Sequence, residues 1–257
     1  MVICTREEER NVPLIEACVQ RGLQAVSLPL IKTEPLPLGL ADRAVIGSAL
    51  DDPEAVICWS SPTAVRLGVA AFPELLTAHR TALRRCGIAV PGEGTGSEWR
   101  SIAGYSPTVI ASAPTGSDLA QTILERCPPF RRAVLIGPQS PRPELAETLE
   151  AGKLSVSQIV VYRTIPQEVS PESIEWFASL SQNVILFCSP SAVNAFMQSG
   201  LFRRGGPVCC AAFGPSTAAA ARRFGSEVVV EHARGSIDGF VEEVAAWVRV
   251  RQGERDQ

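Results

Sequence analysis

The segment Cys188-Ser-Pro-Ser-Ala-Val193 has a counterpart, Ser60-Ser-Pro-Thr-Ala-Val65, about half the chain earlier. Each copy follows an apolar run, Ala55-Val-Ile-Cys-Trp59 or Val184-Ile-Leu-Phe187, and each precedes a stretch with helical periodicity. Both therefore predict a buried strand, a tight turn and a helix start. Serine is a good N-cap, and proline is pre-organised for the first helical position. Capping alone accounts for one such motif. Two in matched places add a functional reading, because a helix N-terminus presents unpaired N–H groups and a positive dipole end to a carboxylate or phosphate.

The repetition extends well beyond these motifs. Residues 2–28 correspond to 133–161, Ile31-Lys-Thr33 to Tyr162-Arg-Thr164, Gly92-Glu-Gly-Thr95 to Gly214-Pro-Ser-Thr217, and Gly116-Ser-Asp118 to Gly235-Ser-Ile-Asp238. A repeat this long is a duplicated half rather than a solenoid array. Strand and helix patterns alternate throughout, which predicts parallel sheets covered by helices on both faces, a doubly wound α/β fold. Two proline-bearing stretches, Lys32–Gly39 and Thr164–Pro171, read as linkers, with the strand before the second running from Ser157 to Val161. A helix is expected near Leu75–Arg85, and Pro91–Gly96 reads as a loop. Duplication leaves two arrangements open. Each repeat could form a domain, or each domain could take pieces of both repeats.

Composition removes several functional classes. The net charge of −3 gives no global field for nucleic acid. Lys32 and Lys153 are the only lysines, so cationic recognition falls to arginine, which suits two-pronged binding of carboxylates. Cys4, Cys58, Cys188, Cys209 and Cys210 sit in apolar strand-like runs, where cysteine packs as a small hydrophobe, and no Cys-x-x-Cys pair suggests zinc. No apolar run is long enough to span a bilayer, and no secretory signal pattern opens the chain. A cytoplasmic protein is expected, or an organellar one if a transit peptide was removed.

The chemistry-bearing side chains are few. The two histidines, His79 and His232, read as structural or solvated, so a serine–histidine triad has little to work with. The carboxyl ends of parallel strands, where open α/β sheets bind ligands, carry hydroxyl, glycine and proline residues at 60–62, 92–96, 189–191 and 214–217. None has the P-loop pattern. Tyr162 breaks the symmetry of the halves, since Ile31 stands in the matching place and Tyr105 is the only other tyrosine. Beside an interdomain cleft its phenol can donate a proton.

The sequence resembles the uroporphyrinogen-III synthase family. The resemblance is carried by Thr5-Arg6, Ser60-Ser-Pro-Thr-Ala-Val65, Val161-Tyr-Arg-Thr164, Phe187-Cys-Ser-Pro-Ser-Ala-Val-Asn-Ala-Phe196 and Phe213-Gly-Pro-Ser-Thr-Ala218, in the family's order. It implies two doubly wound α/β domains joined by a two-strand hinge, residues 1–35 with 167–257 forming one and 36–166 the other. It implies conversion of hydroxymethylbilane to uroporphyrinogen III, with inversion of the terminal pyrrole ring, loss of water, and no metal or organic cofactor. Tyr162 matches the tyrosine proposed to assist departure of the hydroxyl. Ser60, Ser61, Thr95, Ser189, Ser216 and Thr217 match cleft-lining positions, and Arg6 and Arg142 match family arginines. The pattern departs at Gly94-Thr-Gly96 and Gln139-Ser-Pro141. The partner implied is a polycarboxylate small molecule, without nucleic acid or membrane. The protein is expected to be a monomer, with transient contact with hydroxymethylbilane synthase. A two-lobed protein that binds an anion without chemistry is the alternative, and the phenol of Tyr162 is what separates the two.

Overall fold

The computed structural model describes residues 1–76, 86–126, 130–180, 183–204, 208–232 and 236–253. The strands are β1 (Val2–Cys4), β2 (Ala25–Ser27), β3 (Ile31–Pro35), β4 (Ala55–Trp59), β5 (Gly87–Val90), β6 (Val109–Ile110), β7 (Arg132–Pro138), β8 (Ser155–Pro166), β9 (Val184–Phe187), β10 (Cys209–Phe213) and β11 (Glu227–His232). The helices begin with α1 (Glu8–Gln20), α2 (Leu40–Leu50), α3 (Pro62–Ala71), α4 (Glu93–Ala103), α5 (Gly116–Arg126) and α6 (Glu144–Ala151). They continue with α7 (Pro171–Ser179), α8 (Pro190–Gln198), α9 (Leu201–Arg204), α10 (Pro215–Arg223) and α11 (Ile237–Gly253). Apart from Leu75 and Leu76, the helix expected near Leu75–Arg85, with His79, lies outside the described residues.

The chain divides into two compact units. One joins Met1–Thr33 to Thr164–Gln257, and the other is Glu34–Arg163. The first contains the sheet β2-β1-β9-β10-β11, whose neighbouring strands all pair in parallel. The second sheet has the order β3-β8-β7-β4-β5-β6 and is parallel from β8 to β6. The duplication is visible in these orders. Under the sequence correspondence, β2-β1-β9-β10-β11 maps onto β8-β7-β4-β5-β6. Each unit thus combines the strand–helix–strand start of one repeat with the three later strands of the other.

Both sheets are covered on both faces, which explains why their central strands are uninterrupted apolar runs. In β4, Ala55, Ile57 and Trp59 pack with α2, α3 and α4, while Val56 and Cys58 pack with α5 and α6. In β9, Ile185 and Phe187 face α7, α8 and α10, while Val184 and Leu186 face α1 and α11. The side chains alternate because successive strand residues point to opposite faces.

The structure corrects the linker reading. Ile31–Pro35 is strand β3, and Ser155–Pro166 is one strand of twelve residues. Ile31–Pro35 alternates β-branched with charged residues, Ser155–Pro166 is rich in valine and isoleucine, and both prolines stand last in their strands, with the Leu36 and Gln167 N–H groups just beyond them bonding to the Val161 and Leu30 carbonyls. β3 and β8 pair with each other, and the chain passes between the units inside these two strands. The Arg163 guanidinium reaches Glu34 at 2.5 Å across the pair.

The seven cysteines among the described residues are free thiols. Burial pushes the thiols of Cys58 and Cys86 up to about 12 from an ordinary value of 9.0. A group whose folded value is raised contributes stability that is whole below its unfolded value and lost as pH climbs through the folded one. Cys58 therefore favours unfolding from about pH 9 upward. Denaturation of the parent and of Cys58→Ala should show their stability difference shrinking between about pH 9 and pH 11. A difference that stays constant over that range would contradict this account.

Candidate functional site

In an open parallel sheet the ligand crevice lies where neighbouring strands send their helices to opposite faces. The first unit has that point between β1 and β9, because α1 packs on one face and α8 on the other. The second has it between β7 and β4, whose following helices α6 and α3 also lie on opposite faces. Each Ser-Pro motif therefore opens its helix at the switch point of its own unit.

In the second unit, Ser61 is the N-cap of α3, and its Oγ accepts from the Ala64 N–H at 3.1 Å. Pro62 follows at the first helical position. The same Oγ lies 3.2 Å from the phenol oxygen of Tyr162. Tyr162 sits in β8 opposite Pro138 of β7, with its ring buried in the apolar core. Ser60 is exposed, and its N–H donates to the Ile136 carbonyl at 3.0 Å. Gly137 makes room for it, since a Cβ there would stand 2.6 Å from the Ser60 Oγ. Arg142 is exposed in the connection from β7 to α6. The segment 92–96 is not the expected loop. Helix α4 begins at Glu93, so Thr95 is its third residue and is buried.

The first unit repeats the cap. Ser189 precedes α8, and its Oγ accepts from the Ala192 N–H at 3.2 Å. Arg6 follows β1, the strand that pairs with β9 through Cys4 and Leu186. The Arg6 guanidinium forms no ion pair among the described residues, and its charge draws the thiol of Cys188 down against the burial that pushes it up to about 11. Cys188 is thus a neutral thiol at pH 7. At the end of β10, Gly214 has φ 97°, a left-handed conformation that favours glycine, and its N–H donates to the His232 carbonyl at 2.9 Å. Ser216 is exposed in the first turn of α10. Thr217 is buried and donates its hydroxyl to the Phe213 carbonyl at 3.1 Å, which ties the helix start to the strand end. Thr95 and Thr217 occupy the same third helical position in their units.

The backbone that carries Arg6 is clamped by Asn11, a residue the sequence reading passed over. Its Oδ1 accepts from the Arg6 N–H at 3.0 Å. Its Nδ2 lies 2.9 Å from the Arg6 carbonyl, 3.0 Å from the Cys4 carbonyl and 2.8 Å from Ser27 Oγ. Thr5 is buried and donates to the Leu186 carbonyl at 2.7 Å, tying β1 to β9 beyond the end of their ladder. The only hint in sequence was a polar residue on the buried stripe of α1. His232 is buried against Phe213 and Phe240, with Nδ1 3.0 Å from Glu243, a structural setting.

Fold and site together define a duplicated, doubly wound α/β protein with a hydroxyl-bearing helix N-terminus at both switch points. Comparison with known proteins narrows this. Residues 12–242 match the family model described as "Uroporphyrinogen-III synthase HemD". The chloroplastic uroporphyrinogen-III synthase of Oryza sativa subsp. japonica is 27% identical over 268 residues, covering 96% of this chain and 80% of the rice protein. Two solved structures share the fold. A mutant uroporphyrinogen III synthase from the extremely thermophilic bacterium Thermus thermophilus superposes with TM-score 0.63 at 17% identity, covering 97% of this chain and 99% of that one. The uroporphyrinogen-III synthetase from Helicobacter pylori 26695 gives TM-score 0.62 at 13% identity, covering 96% and 98%. The chain belongs to the uroporphyrinogen-III synthase family and is an enzyme of tetrapyrrole biosynthesis.

Proposed function

We propose that this enzyme is a cyclising lyase that closes hydroxymethylbilane to uroporphyrinogen III, inverting the terminal pyrrole ring and releasing water. The observation that carries the reading is the hydroxyl pair Ser61–Tyr162, a phenol held 3.2 Å from a helix-capping serine at the switch point of the second unit. In this reading Tyr162 protonates, or strongly hydrogen-bonds, the departing hydroxyl while the electron-rich pyrrole supplies the electron pair that expels it. Ser60, Ser189 and Ser216, with the N–H groups at the starts of their helices, receive substrate carboxylates, Ser61 faces Tyr162, and Arg6 and Arg142 supply positive charge. Thr95 and Thr217 shape the first turns of α4 and α10. The free substrate tends to cyclise unassisted without inversion, so the enzyme's main contribution is to hold one folded geometry. A cytoplasmic or other reducing compartment suits the free, largely buried cysteines, while the rice relative is named chloroplastic.

The direct test supplies enzymatically made hydroxymethylbilane and separates the uroporphyrin isomers after oxidation. The type III isomer should exceed the spontaneous type I product. An isomer ratio equal to a protein-free control, from folded protein, would reject the reading.

A further inference from the structure

We infer that Ser61 is a positioning residue for Tyr162: its hydroxyl donates to the phenol oxygen and leaves the phenol's own proton for the substrate. This rests on the proposed function and adds the direction of one hydrogen bond. Ser61 Oγ already accepts the Ala64 N–H and sits at the positive end of a ten-residue helix. Both effects withdraw electron density from the oxygen, making it a poorer acceptor and its O–H a better donor. The phenol oxygen, 3.2 Å away, is an acceptor within reach of that O–H. The first unit has the same capping serine, Ser189, but its sequence counterpart of Tyr162 is Ile31, so this arrangement belongs to one repeat alone.

With only two tyrosines in the chain, subtracting the Raman spectrum of Tyr162→Phe from that of the parent isolates Tyr162. The intensity ratio of the tyrosine Fermi doublet separates an accepting phenol from a donating one. The ligand-free parent should show an accepting phenol, Ser61→Ala should lose that signature, and Ser61→Thr, which keeps both hydroxyl and cap, should restore it. In turnover, Ser61→Ala should lower kcat as far as Tyr162→Phe does, by up to about 10²-fold, with Ser61→Thr near the parent. The double variant should be no slower than either single one. A donating phenol in the parent, or a signature unmoved in Ser61→Ala, overturns the inference whether or not the protein makes type III isomer. A signature that responds while kcat of both single variants stays at the parent value makes the bond purely structural and also overturns it. Absence of type III product from the parent rejects the proposed function instead.

Discussion

Tyr162→Phe is expected to turn over hydroxymethylbilane up to about 10²-fold more slowly than the parent, at the low end of what a positioned acid supplies. The loss stays at that end because the pyrrole nitrogen already drives the hydroxyl out and water can replace the phenol as acid. The substitution keeps the ring, which is packed in the core of the second unit, and removes only the oxygen 3.2 Å from Ser61. Ser61 retains its bond to the Ala64 N–H, so the start of α3 should survive. Melting temperature and affinity for product should therefore remain near parental values while kcat falls. Parental turnover would make Tyr162 a packing residue and leave orientation as the whole of catalysis. An early-melting variant would show that the hydroxyl serves folding, and its kinetic loss would carry no information about acid catalysis.

Asn11→Ala should destabilise the protein by about 2–4 kcal/mol, a large loss for one polar side chain. The amide carries two protons yet faces three acceptors, Cys4 O, Arg6 O and Ser27 Oγ, so it shares them while its oxygen receives the Arg6 N–H. The Cys4 carbonyl also accepts from the Leu28 N–H and stays satisfied without Asn11. The exposed cost falls on the Arg6 N–H and carbonyl, each worth about 1–3 kcal/mol if left unpaired in a part-buried turn. Asn11→Asp is the informative companion, because it keeps an acceptor for the Arg6 N–H but turns oxygen toward the two carbonyls, and it should also be destabilised. Urea denaturation at neutral pH measures both. A loss below about 1 kcal/mol for Asn11→Ala would mean that water replaces the clamp. Because the same turn carries Arg6, both variants should also raise KM for the polycarboxylate substrate.

Features that depend on neighbours in sequence were legible in the residues themselves. The strand, serine, proline, helix order at 55–71 and 184–198 is local: apolar runs demand burial, and Ser61 and Ser189 each cap the N–H three residues on. The turn at Gly214-Pro-Ser-Thr217 was equally readable, because proline and serine favour a first helical turn. In its partner, Gly92-Glu-Gly-Thr95, two glycines lower helix propensity and favour a loop, yet α4 starts there. Trp99, fully buried against Trp59, anchors that helix and outweighs the local preference. The crossing strands failed for a related reason. Prolines at 35 and 166 suggested linkers, whereas the strand character of their neighbours is realised only because β3 and β8 find each other across more than a hundred residues.

The sequence by itself determined the duplication, the doubly wound class and the hydroxyl-rich character of the loops, because periodicity, capping and composition are properties of short stretches. Tertiary structure alone decided which hydroxyls touch. Ser61 and Tyr162 lie 101 positions apart and meet because β4, β7 and β8 are successive strands of one sheet. Thr5 reaches Leu186 across 181 positions by the same parallel pairing. The Asn11 clamp needs helix α1 to fold back over the end of β1, so that one amide meets the Cys4 and Arg6 backbone and the Ser27 hydroxyl. Contacts of this kind depend on register and strand order, which no local preference encodes, and they are what separates a serine that only caps a helix from one that also meets a phenol.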